Sequence, residues 1–325
     1  MNLTFNAILS AQHTQKKGNE MNSRKITENI LSVSTATLLI TGVAVFGFGC
    51  DGKGRQKING AGGSFPAPLY QSWCFDYSQD ISHPKVNYQS VGSSAGISQI
   101  KAGTVDFAGT DAPLSEEDCE KSGLEQFHMV SGAVVPTVNL PSLAQSTFTL
   151  DGDTLADIYL GKIERWNDTR IAALNPGLTL PDLKITVVHR GDGSGTTHIF
   201  TTYLSSVSEA WKKDIGIGTL VEWPCGIAGQ KNPGVCNIVS RIKGAIGYTE
   251  YTFALEAKLQ IAFLAVDGKT VKPDEAAWPI LGKTYILTRK DTPADKMSAM
   301  ADFFSWCKQY GGDTARRLHY IPVSK

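Results

Sequence analysis

Residues Lys184–Leu204, KITVVHRGDGSGTTHIFTTYL, decide the fold. The first seven are rich in β-branched residues and predict a strand, the glycines after Arg190 break it, and Ile199, Phe200, Tyr203 and Leu204 then recur at helical spacing. A strand that turns through glycines into a helix is one βα unit. Further β-rich runs occur at Lys85–Val91, Val105–Ala108, Gly132–Leu140 and Ala245–Tyr248, and Phe65, Leu69, Trp73 and Tyr77 predict a second helical face. This alternation predicts an α/β architecture with mostly parallel sheets. In such folds ligands gather where strand ends meet helix starts, above all in a crevice between domains.

Three such turns share one grammar. Asn59–Pro66 (NGAGGSFP), Val91–Ile97 (VGSSAGI) and Arg190–Thr197 (RGDGSGTT) each place a serine after close-approaching glycines and before a predicted helix. The serines, Ser64, Ser93 and Ser194, stand where helix caps belong, beside unpaired amides and the positive end of a helix dipole. Each turn alone reads as an ordinary cap. Three converging turns would surround a small oxyanion with hydroxyl and amide donors, and Arg190 would add a two-pronged guanidinium held in orientation by Asp192.

Asp111, in the run Gly103–Pro113, sharpens the choice of anion. A carboxylate beside that cradle repels a fully ionised anion and needs a proton to accept. Phosphate near neutrality keeps a P–O–H and sulfate has none. A charged hydrogen bond is typically about 1.5–3 kcal/mol, and an unpaired buried carboxylate costs at least as much, so discrimination is roughly tenfold to several hundredfold.

Composition bounds the alternatives. The 325 residues, 42% hydrophobic and 19% charged, fit about two globular domains. With 31 basic and 31 acidic residues, no basic footprint for nucleic acid exists. Residues 1–50 read as an export segment: a basic stretch opening at Met21, the expected start of translation, precedes an uncharged run from Ile30 to Gly49 and then Cys50, a candidate lipidation site. Gly47 stands three before that cysteine, where a lipobox usually has leucine. Residues 51–56 read as a tether. Cys225 and Cys236 bracket a Gly-rich loop and are the expected disulfide; the other three downstream cysteines cannot be paired from sequence. No zinc-ligand spacing appears, and no cofactor is implied.

The same residues resemble the phosphate-binding proteins of the bacterial ABC phosphate transporter. The resemblance rests on Gly60–Pro68, Val86–Gly96, Val105–Ser115, Asp157–Asn167 and Arg190–Thr197, five blocks in order, and it looks continuous from about Ile58 to Tyr251. It implies a type II periplasmic-binding-protein fold, two α/β lobes joined by crossing strands: 57–138 plus 246–325, and 139–245. By motif position it implies phosphate ligation by Ser64, Phe65, Ser93, Asp111, Arg190, Ser194, Gly195 and Thr196, with Asp192 supporting the arginine. It further implies a monomer outside the cytoplasm, or lipid-anchored to the membrane's outer side, that hands phosphate to the permease and catalyses nothing. Two departures stand out. The segment Lys269–Trp278 is shorter than is usual in the family, and a further C-terminal helix is missing.

Four rivals remain. Gly92-Ser93-Ser94-Ala95-Gly96 fits the nucleophile elbow of a serine hydrolase. Asp111 could be a phosphatase nucleophile, or the cradle could take another oxyanion such as sulfate or molybdate. Arg190-Gly191-Asp192 also spells a cell-adhesion tripeptide.

Overall fold

The computed structural model describes residues 55–143 and 146–323. The expected export segment, the lipidation at Cys50 and most of the tether lie outside the described residues. Among those described, no helix is long and apolar enough to cross a membrane.

Among the described residues, thirteen strands carry the architecture. They are β1 (Lys57–Gly62), β2 (Lys85–Ser90), β3 (Phe107–Thr110), β4 (Leu124–Val138), β5 (Thr149–Asp151), β6 (Thr186–Arg190) and β7 (Ile227–Gly229). The remainder are β8 (Ala245–Glu250), β9 (Gln260–Ile261), β10 (Phe263–Val266), β11 (Lys269–Val271), β12 (Leu281–Arg289) and β13 (Ile321–Pro322). The main sheet runs β2-β1-β3-β12-β4-β8-β6-β7, and β11-β10-β5 form a separate one.

The two wings are parallel, as expected: β1 pairs β2 and β3, and β6 pairs β7 and β8. The centre is not. There β12 runs antiparallel to β3 and β4, and β4 antiparallel to β8. The reason is connectivity, because a chain that leaves one half and later returns presents strands of opposite direction. Residues 124–133 of β4 pair with β12 and residues 134–138 with β8, so one strand of 15 residues serves both halves. At about 3.3 Å per residue it runs for roughly 50 Å.

A continuous core fills both halves. On one side lie Ile58, Leu69, Trp73, Phe107, Phe303 and Phe304; on the other Phe148, Tyr159, Trp166, Phe200, Leu204 and Tyr248. Each such side chain stabilises the fold by about 1.5–3 kcal/mol when fully buried. The first helix is Ala67–Ser78 with Pro66 at its cap position, so Phe65 precedes it and instead packs edge-on against Tyr320.

The expected disulfide is corrected: Cys225 and Cys236 are both free thiols. Cys225 lies 3.7 Å from the Tyr159 carbonyl, whereas Cys236 is buried 3.6 Å from Thr249 Oγ1. The stretch between them does not loop back. It forms β7 and then the first turns of the helix Lys231–Arg241, which hold its ends against different neighbours.

Candidate functional site

The strand ends of both wings meet at one point. Ser64 follows β1, Ser93 follows β2, Asp111 follows β3, and Arg190 ends β6 with Ser194 just beyond; all five are buried. Close approach requires glycine here. A Cβ at Gly62, where φ is +151°, would sit 2.1 Å from the Gly109 carbonyl oxygen, so β1 and β3 could not pair with any other residue there. A Cβ at Gly195 would lie 2.6 Å from both Asp111 Oδ2 and Ser93 Oγ. The glycine backbone of the third turn is therefore packed directly onto the carboxylate.

The serines divide their labour more unequally than expected. Only Ser194 caps its helix, Gly195–Val207, by accepting from the Thr197 N–H at 3.1 Å. The second helix, Ser93–Lys101, is preceded by Gly92 and has no side-chain cap; Ser93 Oγ reaches across and accepts the Gly195 N–H at 3.1 Å. Ser64 Oγ accepts from the Asn232 N–H at 3.3 Å. Two hydroxyls that local sequence would spend within their own turns are spent between the halves. The Thr196 N–H, flanked by these two satisfied amides, has no partner among the described residues.

Arg190 is 1% exposed and fully oriented. Its Nε and Nη2 donate to Asp192 Oδ1 and Oδ2 at 2.8 and 2.5 Å, the bidentate pair expected, and Nη1 faces Thr196 Oγ1 at 3.4 Å and Asn232 Oδ1 at 3.3 Å. Burial raises the pKa of Asp192, but the Arg190 hydrogen bonds and charge outweigh it and hold the carboxyl below its usual range.

Asp111 is the opposite case. Burial pushes its carboxyl up to about 7, against the pull of the Thr284 hydroxyl, the Arg190 charge and Ser93. Thr284 Oγ1 itself donates to the Thr110 carbonyl at 3.4 Å, and Ser93 Oγ lies 3.5 Å from Oδ2. Among the described residues Asp111 Oδ1 has no hydrogen-bond partner. A buried acceptor without a donor beside a buried, oriented guanidinium is an arrangement that a guest carrying both oxygens and a proton completes.

Sequence reading missed Asn232, Lys231, Tyr248 and Thr284. Asn232 is wholly buried and its Nδ2 is unpartnered. Tyr248 Oη accepts the Arg190 N–H at 3.2 Å and shares a hydrogen bond with Thr197 Oγ1 at 2.7 Å. The turn Gly229–Gly234 has the glycine grammar of the other three but no serine, and it was the available signal for Asn232.

Two rival readings lose their geometry. Among the described residues the Ser94 hydroxyl meets Thr219 Oγ1 at 3.4 Å and no imidazole, so no nucleophile–base pair forms among them there. Arg190, buried and committed to Asp192, cannot present an adhesion tripeptide.

A sequence model of the PBP superfamily domain matches residues 50–306. Phosphate-binding protein PstS of Xylella fastidiosa (strain Temecula1) is 44% identical over 297 residues, covering 82% of this chain and 81% of that one. Phosphate-binding protein PstS of Pasteurella multocida is 41% identical over 298 residues, covering 82% and 86%. Among solved structures, a high-affinity periplasmic phosphate-binding protein bound with phosphate superposes with a TM-score of 0.69 at 19% identity, covering 82% of this chain and 91% of that one. The phosphate-binding protein from Stenotrophomonas maltophilia gives 0.65 at 20% identity, covering 83% and 91%. These likenesses fix the two-lobed periplasmic-binding-protein fold, and with the sequence relatives they place the chain in a family: it belongs to the PBP superfamily and, within it, to the PstS family of phosphate-binding proteins.

Proposed function

We propose that this protein captures inorganic phosphate between its two lobes and delivers it to the permease of an ABC-type importer. Asp111 carries the reading. It is a buried carboxyl with one orphan oxygen, set among donors, and so it accepts the proton that phosphate has and sulfate lacks. Around it Ser64, Ser93, Ser194 and Thr196 supply hydroxyls, Phe65 and Thr196 backbone amides, and Arg190 the charge, with Asp192 holding the guanidinium; the Gly195 amide joins them by exchanging its bond to Ser93 Oγ for one to the anion.

The lobes are 57–138 with the return through β12, and the segment between. Strand pairing supports a return later than residue 246, because β8 pairs β6 and β10 pairs β5. Closure of the lobes replaces water around the anion with oriented donors, and micromolar binding corresponds to about −8 kcal/mol. The protein acts outside the cytoplasm as a monomer, tethered through Cys50, and turns nothing over; its relatives bear the names of binding proteins.

Isothermal titration of refolded, exhaustively dialysed protein tests this. Phosphate should bind tightly and sulfate at least tenfold more weakly at pH 8. Equal binding of both anions removes the role of Asp111, and phosphate release from a monoester would point to an enzyme.

A further inference from the structure

β2 and β7 stand at opposite ends of the hydrogen-bonding order, yet one residue joins them across the cleft. Lys231 follows β7, opens the helix Lys231–Arg241 and lies at φ +59°. A residue with a Cβ adopts this left-handed conformation at a cost, and such outliers persist where surrounding contacts hold them. Two contacts do so. The Lys231 N–H donates to Asp192 Oδ1 at 2.9 Å, the carboxylate that holds Arg190, and Nζ donates to the Ser90 carbonyl at 2.6 Å, at the end of β2. Asn232 continues the bridge: its N–H reaches Ser64 Oγ and its Oδ1 faces Arg190 Nη1, both at 3.3 Å.

We infer that Lys231 is a positioning residue that latches the lobes over bound phosphate, an inference that rests on the phosphate reading above. Its backbone is tied to the clamp in one lobe and its ammonium to the strand end that leads into the Ser93 turn in the other. When the lobes separate, the ammonium and the Ser90 carbonyl both return to water, so this contact is made only in the closed form. An interaction confined to the closed form slows ligand escape more than it speeds capture.

The test uses the mature chain, inorganic phosphate and two substitutions. Lys231→Met keeps the side-chain stem and removes the ammonium; Lys231→Gly also relieves the left-handed backbone. In stopped-flow displacement both should release phosphate about fivefold to tenfold faster than wild type, the loss of one charged hydrogen bond at a half-buried site. The ligand-free Lys231→Gly protein should unfold at a temperature no lower than wild type. Wild-type release from either variant overturns the latch, as does faster release from Lys231→Gly accompanied by a lowered unfolding temperature, which would put the effect in the fold. A wild-type protein that fails to bind phosphate overturns the functional reading itself, whereas phosphate binding with unaltered release in the variants overturns the latch alone.

Discussion

Lowering the pH should open this site to sulfate. Asp111 has a pKa of about 7 because its carboxyl is buried, so without ligand it is protonated about one-tenth at pH 8 and about nine-tenths at pH 6. Ionised, it has nothing to accept from sulfate and repels it; protonated, its O–H donates to a sulfate oxygen. The binding-competent fraction therefore grows about ninefold between pH 8 and pH 6, and sulfate affinity should rise by about the same factor. Phosphate keeps a proton of its own across this range and should follow a shallower course. Asp111→Asn supplies a neutral donor at every pH and should make sulfate binding both tighter at pH 8 and flat with pH. Titration calorimetry with each anion at pH 6, 7 and 8, on wild type and variant, reads all of this. Sulfate affinity that is flat in wild type, or unchanged by the substitution at pH 8, would refute the proton-sensing argument.

Other expectations follow from the same geometry. Arg190→Ala should weaken phosphate binding at least a hundredfold by titration, since it removes the buried guanidinium at the cradle and leaves Asp192 without its charged partner. Glu250, wholly buried at the end of β8 with Oε2 unpartnered, has its carboxyl pushed up to about 8 by burial. The folded pKa lies above the unfolded one, so the stabilisation is complete at low pH and is lost as pH rises through about 8. Ligand-free protein should lose stability steadily as pH rises from the ordinary carboxylate range toward 8, and chemical denaturation of Glu250→Gln should show that dependence reduced. Alkylation under denaturing, non-reducing conditions should modify Cys74, Cys119, Cys225, Cys236 and Cys307 alike, and a mass short by two additions would restore the Cys225–Cys236 bridge.

The fold class and the site were legible to different depths. Local signals sufficed for the wings, because β1, β2 and β6 each run into a glycine turn that leads into a helix. They failed at the centre. The first half of β4, Leu124–Ser131, mixes Glu125, Gln126 and His128 with apolar residues, and β12 interrupts its apolar positions with Gly282, Lys283 and Thr284; only pairing with partners far along the chain makes strands of them. The convergence of Ser64, Ser93, Asp111 and Arg190 could be argued from three similar turns, yet where each hydroxyl goes could not, because Ser93 serves an amide 102 residues away. Thr284 was invisible for the same reason, having no local partner that marks it, and for Asn232 the glycines of Gly229–Gly234 were the one local mark. The disulfide is not legible because glycines mark more than loops: Gly229 and Gly234 pack strand against helix.

The long central strand has a mechanical consequence. A jaw hung on a slack linker can swing anywhere, but here the beam running through both jaws is a single pleated ribbon, clamped at one end by β12 and at the other by β8. Opening must bend or twist that ribbon as a leaf spring flexes, along few directions and with a restoring force. Such a spring returns the jaws to one alignment each time, so the donors of one jaw meet those of the other in register on every stroke.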